Sequence, residues 1–289
     1  AGAVWALAPR PPVPPTDEEK ALAKAEADRK ALDAELASGQ PVVLIGKTGG
    51  PRFGYTSRNS THLTKADTDP AGVFTVSGSG LAVVELVPDP MYDSFRLRAE
   101  ILHRVGDPYG CVGVYVGDVD FPGPGFGSNG WHAALTYNDW FSTADHYAHG
   151  GPELAAQATK FANTPNMTNL WLHSRGQSKP GTTWENKAQL ESGAPFTPAY
   201  QFADWRVLEL EVTPAAVRGK RNGKLVGEIT AEKTAEVVNM WMRDAAEYFP
   251  SPRWERCPPV HRPRGAIGIH LLKSSAQVRN VVLTPLPRP

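Results

Sequence analysis

A chain of 289 residues that is 41% hydrophobic and 21% charged has ordinary globular usage, enough to bury a core and too apolar to be disordered throughout. Lys plus Arg and Asp plus Glu each number 30, so the formal net charge is zero and no global attraction to nucleic acid or anionic membrane is expected. The 27 Gly and 27 Pro favour many short strands joined by turns over a helical bundle.

Residues 1–15 run from Ala-Gly-Ala-Val-Trp-Ala-Leu-Ala into Pro-Arg-Pro-Pro-Val-Pro-Pro. They read either as an apolar and Pro-rich tether leading away from a bilayer or as an arbitrary chain boundary. Residues 16–40 predict a charged helix. Thr16 can cap it, Asp17, Glu18 and Glu19 suit the positive end of its dipole, and Gly39 can stop it. Its apolar stripe is thin, mainly Leu22, Leu32 and Leu36, which fits weak packing or a stalk.

Residues 41–289 read as one β-sandwich domain. A first strand is expected at 41–45. Strands at 72–76 and 81–86 flank Ser77-Gly78-Ser79-Gly80, a four-residue hairpin turn. In 94–103, Phe95, Leu97, Ala99 and Ile101 alternate with Arg96, Arg98 and Glu100, the signature of a strand with one buried face. Its expected partner is 111–116. Strands at 131–137 and 170–174 bracket a segment too long for a simple turn. Strands at 205–212, 216–218 and 224–229 follow, with Asn222-Gly223 as a two-residue type I′ turn. A short helix is expected at 235–248, then closing strands at 265–271 and 277–286.

The segments Trp205-Arg-Val-Leu-Glu-Leu-Glu-Val, Lys220-Arg-Asn-Gly-Lys-Leu-Val, Gly265-Ala-Ile-Gly-Ile-His and Val278-Arg-Asn-Val-Val-Leu-Thr-Pro-Leu resemble the concanavalin-like lectin/glucanase superfamily. More narrowly they resemble the 3-keto-disaccharide hydrolase family, formerly a domain of unknown function. The resemblance implies an all-β, concanavalin-like jelly-roll sandwich of two antiparallel sheets, here with an N-terminal helix and a short inserted helix. It also implies a curved sheet that holds carbohydrate. Where that family shows Asn-Ser-Gly followed by Arg, this chain has Cys111, Val112, Gly113 and then Gly117, which tilts the expectation from hydrolysis toward binding. The helix-plus-sandwich layout also resembles the extracytoplasmic region of planctomycete serine/threonine kinase-like proteins, but the chain carries no kinase motif.

Aromatic rings suit the apolar faces of pyranoses, and hydrogen-bonding side chains suit their hydroxyls. Trp131, Trp140, Trp171 and Trp184 lie among His132 and His173 in the middle third and are the candidate ligand-binding residues, with Arg98, Tyr115 and His270. Trp131 and Trp171, placed on strands, have core burial as their alternative, whereas Trp140 and Trp184 are read as loop residues. Glu100 is the candidate catalytic carboxylate, with an Arg98–Glu100 surface ion pair as the blander reading. His146 and His149 are too few for a metal site, and Asp118 and Asp120 form the one weak calcium candidate. No other cofactor is expected. Cys111 and Cys257 lack zinc-ligand spacing; a disulfide stays open, and Cys111 reads as a small buried residue. The expected function is an extracytoplasmic carbohydrate-binding module, with a 3-keto-glycoside hydrolase or lyase and a protein-binding sandwich as alternatives. The expected partners are a carbohydrate ligand, no nucleic acid, and a membrane only through the tether.

Overall fold

The computed structural model describes residues 15–58, 62–104, 111–121, 131–140, 168–179, 182–192, 205–232 and 264–287. Its single described helix, α1 (Asp17–Ala37), starts where the sequence places it. Thr16 and Glu19 form a reciprocal capping box, and the chain leaves through Gly39 at φ +71°. Only the C-terminal half of α1 is docked. Leu32 and Leu36 enter the core and Arg52 grips Glu35 through two bonds of 2.8 and 2.5 Å, while Leu22 stays 71% exposed.

Thirteen strands follow among the described residues: β1 (Val42–Ile45), β2 (Thr56–Arg58), β3 (Leu63–Thr68), β4 (Phe74–Val87), β5 (Phe95–Arg104), β6 (Cys111–Phe121), β7 (Trp131–Trp140), β8 (Thr168–Lys179), β9 (Thr182–Ser192), β10 (Arg206–Val212), β11 (Ala216–Arg221), β12 (Lys224–Thr230) and β13 (Ala266–Pro285). The named pairings are all antiparallel. β13 is the axis. Along one edge it pairs with β1 and then β4, and along the other with β5 and then β6. From β5 the ladder continues outward through β10, β11 and β12; from β6 it continues through β7, β8 and β9. β2 and β3 line the free edge of β4.

The two wings fold over one core, making a β-sandwich of two antiparallel sheets. Phe95, Leu97, Ile101, Leu208, Leu210 and Val217 from one wing share a buried cluster with Val112, Val114, Val116, Ile267 and Ile269 from the other. At about 1.5–3 kcal/mol for each fully buried side chain of this size, this cluster is the main source of stability.

Four expectations are corrected. The stretch Ser77-Gly78-Ser79-Gly80 does not turn; β4 runs through it from Phe74 to Val87. The glycines instead admit a neighbour, since a Cβ on Gly80 would lie 2.7 Å from His62 Nδ1 and the Ser79 N–H donates to the His62 carbonyl at 2.9 Å. β5 and β6 are not partners but follow one another along the same edge of β13. The two closing strands are one strand of 20 residues. Register shifts near Lys273 (φ +44°) and Asn280 (φ +48°) absorb the irregularity. Trp184 lies on β9, a strand not expected from the sequence, and Trp140 ends β7. Asn222 and Gly223, by contrast, take φ +48° and +80° as the type I′ turn requires, and Asn222 Oδ1 accepts from the Val207 N–H at 2.8 Å. The expected helix at 235–248, His146, His149 and Cys257 lie outside the described residues.

Truncating Leu36 to Ala should destabilise the protein by about 2–5 kcal/mol, as for other buried leucines. Leu22→Ala should change stability by under about 0.5 kcal/mol. Equilibrium denaturant unfolding of the two variants measures the difference, and equal losses would refute docking by the C-terminal half alone.

Candidate functional site

Each sheet has a face turned away from the core, and the two faces differ in chemistry. On β5, β10, β11 and β12 the outward positions form a lattice of opposite charges. Arg96 lies 3.5 Å from both Glu209 and Glu211; Lys220 lies 3.0 Å from Glu211 and 3.5 Å from Glu209. Arg218 pairs with Glu228 and stands 3.6 Å from Glu211. The same face holds Arg98 and Glu100. Their ion pair forms at 2.9 Å, and Arg279 donates to the other oxygen of Glu100 at 2.9 Å while its guanidinium stacks 3.8 Å above the Trp205 ring.

This placement argues against Glu100 as an acid/base group. Burial pushes its carboxyl up, but hydrogen bonds from Arg279, Arg98 and Asn280 outweigh that and hold it below the ordinary carboxylate range. A carboxylate kept ionised and engaged at both oxygens is a poor proton donor.

On the other sheet the register gathers residues from distant parts of the chain. Gly268 of β13 stands between Glu85 of β4 and Tyr115 of β6, and His270 stands between Val83 and Gly113. Directly paired antiparallel residues share a face, and every second residue along a strand returns to it. Val83, Tyr115 and Ala266 form a small apolar cluster separate from the core, which places this set on the outward face. Three polar residues are nonetheless buried here: Glu85 is 7% exposed, His270 3% and Tyr115 1%.

The same register carries the face onward. Tyr115 is opposite Thr136, Thr136 opposite Trp171, and Trp171 opposite Gln189; Gly113 is opposite Asn138, and Asn138 opposite Asn169. His132, His173 and Trp140 take positions on this face by the two-residue repeat, as do Asp118 opposite Ala266 and Asp120 opposite His132. Trp131, opposite Phe121, and Trp184, opposite Gly176, occupy positions of the alternate, core-side face. Of the residues singled out from sequence, Tyr115, His132, Trp140, Trp171, His173 and His270 thus share one sheet face; Arg98 and Glu100 lie on the other wing. Among the described residues no three His, Cys, Asp or Glu side chains gather as a metal site would need.

Glu85 was missed. Its signal is a lone carboxylate in the run Leu81-Ala-Val-Val-Glu-Leu-Val, a place where an apolar residue would otherwise be expected.

No family model matches the chain, and no curated protein matches it. Among solved structures, it is similar to a protein of unknown function with a galectin-like fold from Bacillus subtilis, at 14% identity and a TM-score of 0.47, over 81% of this chain and 90% of that one. It is also similar to the carbohydrate binding module CBM66 from Bacillus subtilis, at 11% identity and TM-score 0.40, over 83% and 99% of the two chains. A third is the kappa-carrageenase from Pseudoalteromonas carrageenovora in complex with an oligotetrasaccharide of kappa-carrageenan, at 8% identity and TM-score 0.40, over 85% and 92%.

A carboxyl whose folded pKa is lowered stabilises the protein above its unfolded pKa, and that stability is lost as pH falls through the folded value. Stability should therefore drop on acidification below about pH 4.3, the ordinary glutamate value, and Glu100→Gln should flatten the drop. Denaturant unfolding across that pH range tests this, and an unchanged slope in the variant would refute it.

Proposed function

We propose that the protein is a carbohydrate-binding module whose ligand lies across the outward face of the sheet β4-β13-β6-β7-β8-β9. The observation that carries this reading is the register that assigns Tyr115, Trp171 and Trp140 to one face with Thr136, Asn138, Asn169, Gln189, His132 and His173. Pyranose rings present an apolar face and a rim of hydroxyls, and a strip alternating aromatic with hydrogen-bonding residues matches both. The opposite wing offers no such strip among its described residues, because its outward charges are spent on one another.

An extracytoplasmic setting is part of the proposal. The apolar stretch and Pro-rich run of residues 1–15 support it as a tether.

A narrower reading, action on 3-keto-glycosides, is favoured by the carboxylate of Glu85 and the imidazole of His270 on the same face. It is separated from binding by assaying release from a 3-keto-disaccharide. Binding with no turnover supports the module, and turnover supports the hydrolase.

Trp171→Ala should weaken binding of a neutral oligosaccharide by about tenfold or more, the loss usual for an aromatic anchor, and Glu100→Gln should leave it unchanged. Calorimetric titration measures both. Unchanged affinity in Trp171→Ala would overturn this face as the site.

A further inference from the structure

The register of β7, β8 and β9 divides their share of the outward face into two halves along the strands. From Thr136 toward Trp140 the positions are neutral: Thr136, Trp171 and Gln189 form one row, and Asn138 and Asn169 the next. In the other direction they turn basic. His132 is opposite Arg175, and Ala134 is opposite His173, which is in turn opposite Lys187. Arg175 and Lys187 thus join two imidazoles at contiguous positions, with Ala134 adding only a methyl among them.

The basic half adjoins the aromatic row. Same-face residues on one strand recur at about 6.8 Å, and diagonal neighbours on paired strands stand about 7–8 Å apart, within reach of long side chains. His173 follows Trp171 by two residues on β8, and Lys187 is the diagonal neighbour of Trp171 on β9. Carboxylates hold the margins. Glu185 is directly opposite Arg175, an opposite-charge cross-strand pair that offsets its own charge. Asp120 is opposite His132, and Asp118 shares its strand β6, three strands from β9. At about 4.8 Å per strand, β6 is about 14 Å from Lys187, beyond the screening length of about 8 Å in physiological salt. Lys187, whose directly opposite residue is an imidazole, is the cation best placed to serve a ligand on Trp171.

We propose that this face takes an acidic glycan. Trp171 carries a pyranose ring, and Lys187, with His173 and Arg175, binds an anionic substituent on that ring or on the next. The inference rests on the carbohydrate reading and names the class of sugar. A carboxylate or sulfate ester presents acceptor oxygens, and ammonium and guanidinium groups donate to them in charge-assisted hydrogen bonds. The amides of the neutral half already suit hydroxyl groups, so the basic half gains most from a charged ligand.

Calorimetric titration of the full chain tests this with two matched pairs of probes: tetragalacturonate with its methyl ester, and sulfated with unsulfated galactotetraose. Each pair holds the rings fixed and changes the charge. Wild type should bind the acidic member of at least one pair about 10–100-fold more tightly, as for hydrogen bonds to a charged group, and the responding pair identifies carboxylate or sulfate. The preference should shrink as salt rises from about 0.1 to 1 M, where the screening length falls from about 10 to 3 Å. Lys187→Gln, folded by circular dichroism, should cut the acidic-to-neutral affinity ratio by about tenfold. Trp171→Ala should weaken both members of a pair and keep their ratio. Equal wild-type affinity within both pairs overturns the acidic ligand and leaves the carbohydrate face standing. A ratio undiminished in both folded Lys187→Gln and folded Arg175→Gln overturns the basic half as its source. If no probe binds folded wild type, the carbohydrate reading fails, and this inference with it.

Discussion

The sandwich depends on hydrogen bonding along both edges of β13. Its residues 266–272 run between β4 and β6, residues 274–278 between β4 and β5, and residues 281–283 between β1 and β5. A strand satisfied on both sides is anchored in register, because slipping by one residue would turn Ile267, Ile269 and Leu271 out of the core and bring His270 in. Both wings grow from strands registered on β13, so its alignment fixes which residues meet on either outward face.

Those two faces carry different patterns of charge. On the wing of β5, β10, β11 and β12, arginines, lysine and glutamates alternate at cross-strand spacing, partly open to water. Each such pair is worth about 0–1 kcal/mol, so the lattice contributes solubility and register more than stability. On the other wing the register places Asp118, Asp120, Arg175, Glu185 and Lys187 at outward positions, and Glu85 is 7% exposed beside Val83, Tyr115 and Ala266.

The alternating runs were legible because a strand with one buried face writes a two-residue period into the sequence. Phe95 to Ile101 and Leu208 to Val212 follow it, and α1 is bounded by Thr16 and Gly39 as capping chemistry dictates. The turn at Asn222-Gly223 was legible for a similar local reason. What failed was long-range. Ser77-Gly78-Ser79-Gly80 looks like a turn because local chemistry cannot reveal that His62 fills the space beside Gly80. The collinear arrangement of β5 and β6 depends on a strand more than 140 residues downstream, as Ile101 pairs with Val278 and Val112 with Leu271. Tyr115 and His270 were legible as polar residues on strands, but Glu100 drew attention through its neighbour Arg98, and that same neighbour neutralises it.

The position of β13 in the chain also sets an order of events. Val42 finds its partner in Leu283, and Phe74 finds its partner in Val278, so β1, β4, β5 and β6 stay without their common neighbour until the last described strand has emerged. Closing such distant pairings costs loop entropy before any contact rewards it, which makes folding of this topology slow. During synthesis the chain therefore exposes a row of apolar strand edges, the condition under which nascent β proteins depend on chaperones to avoid pairing with one another.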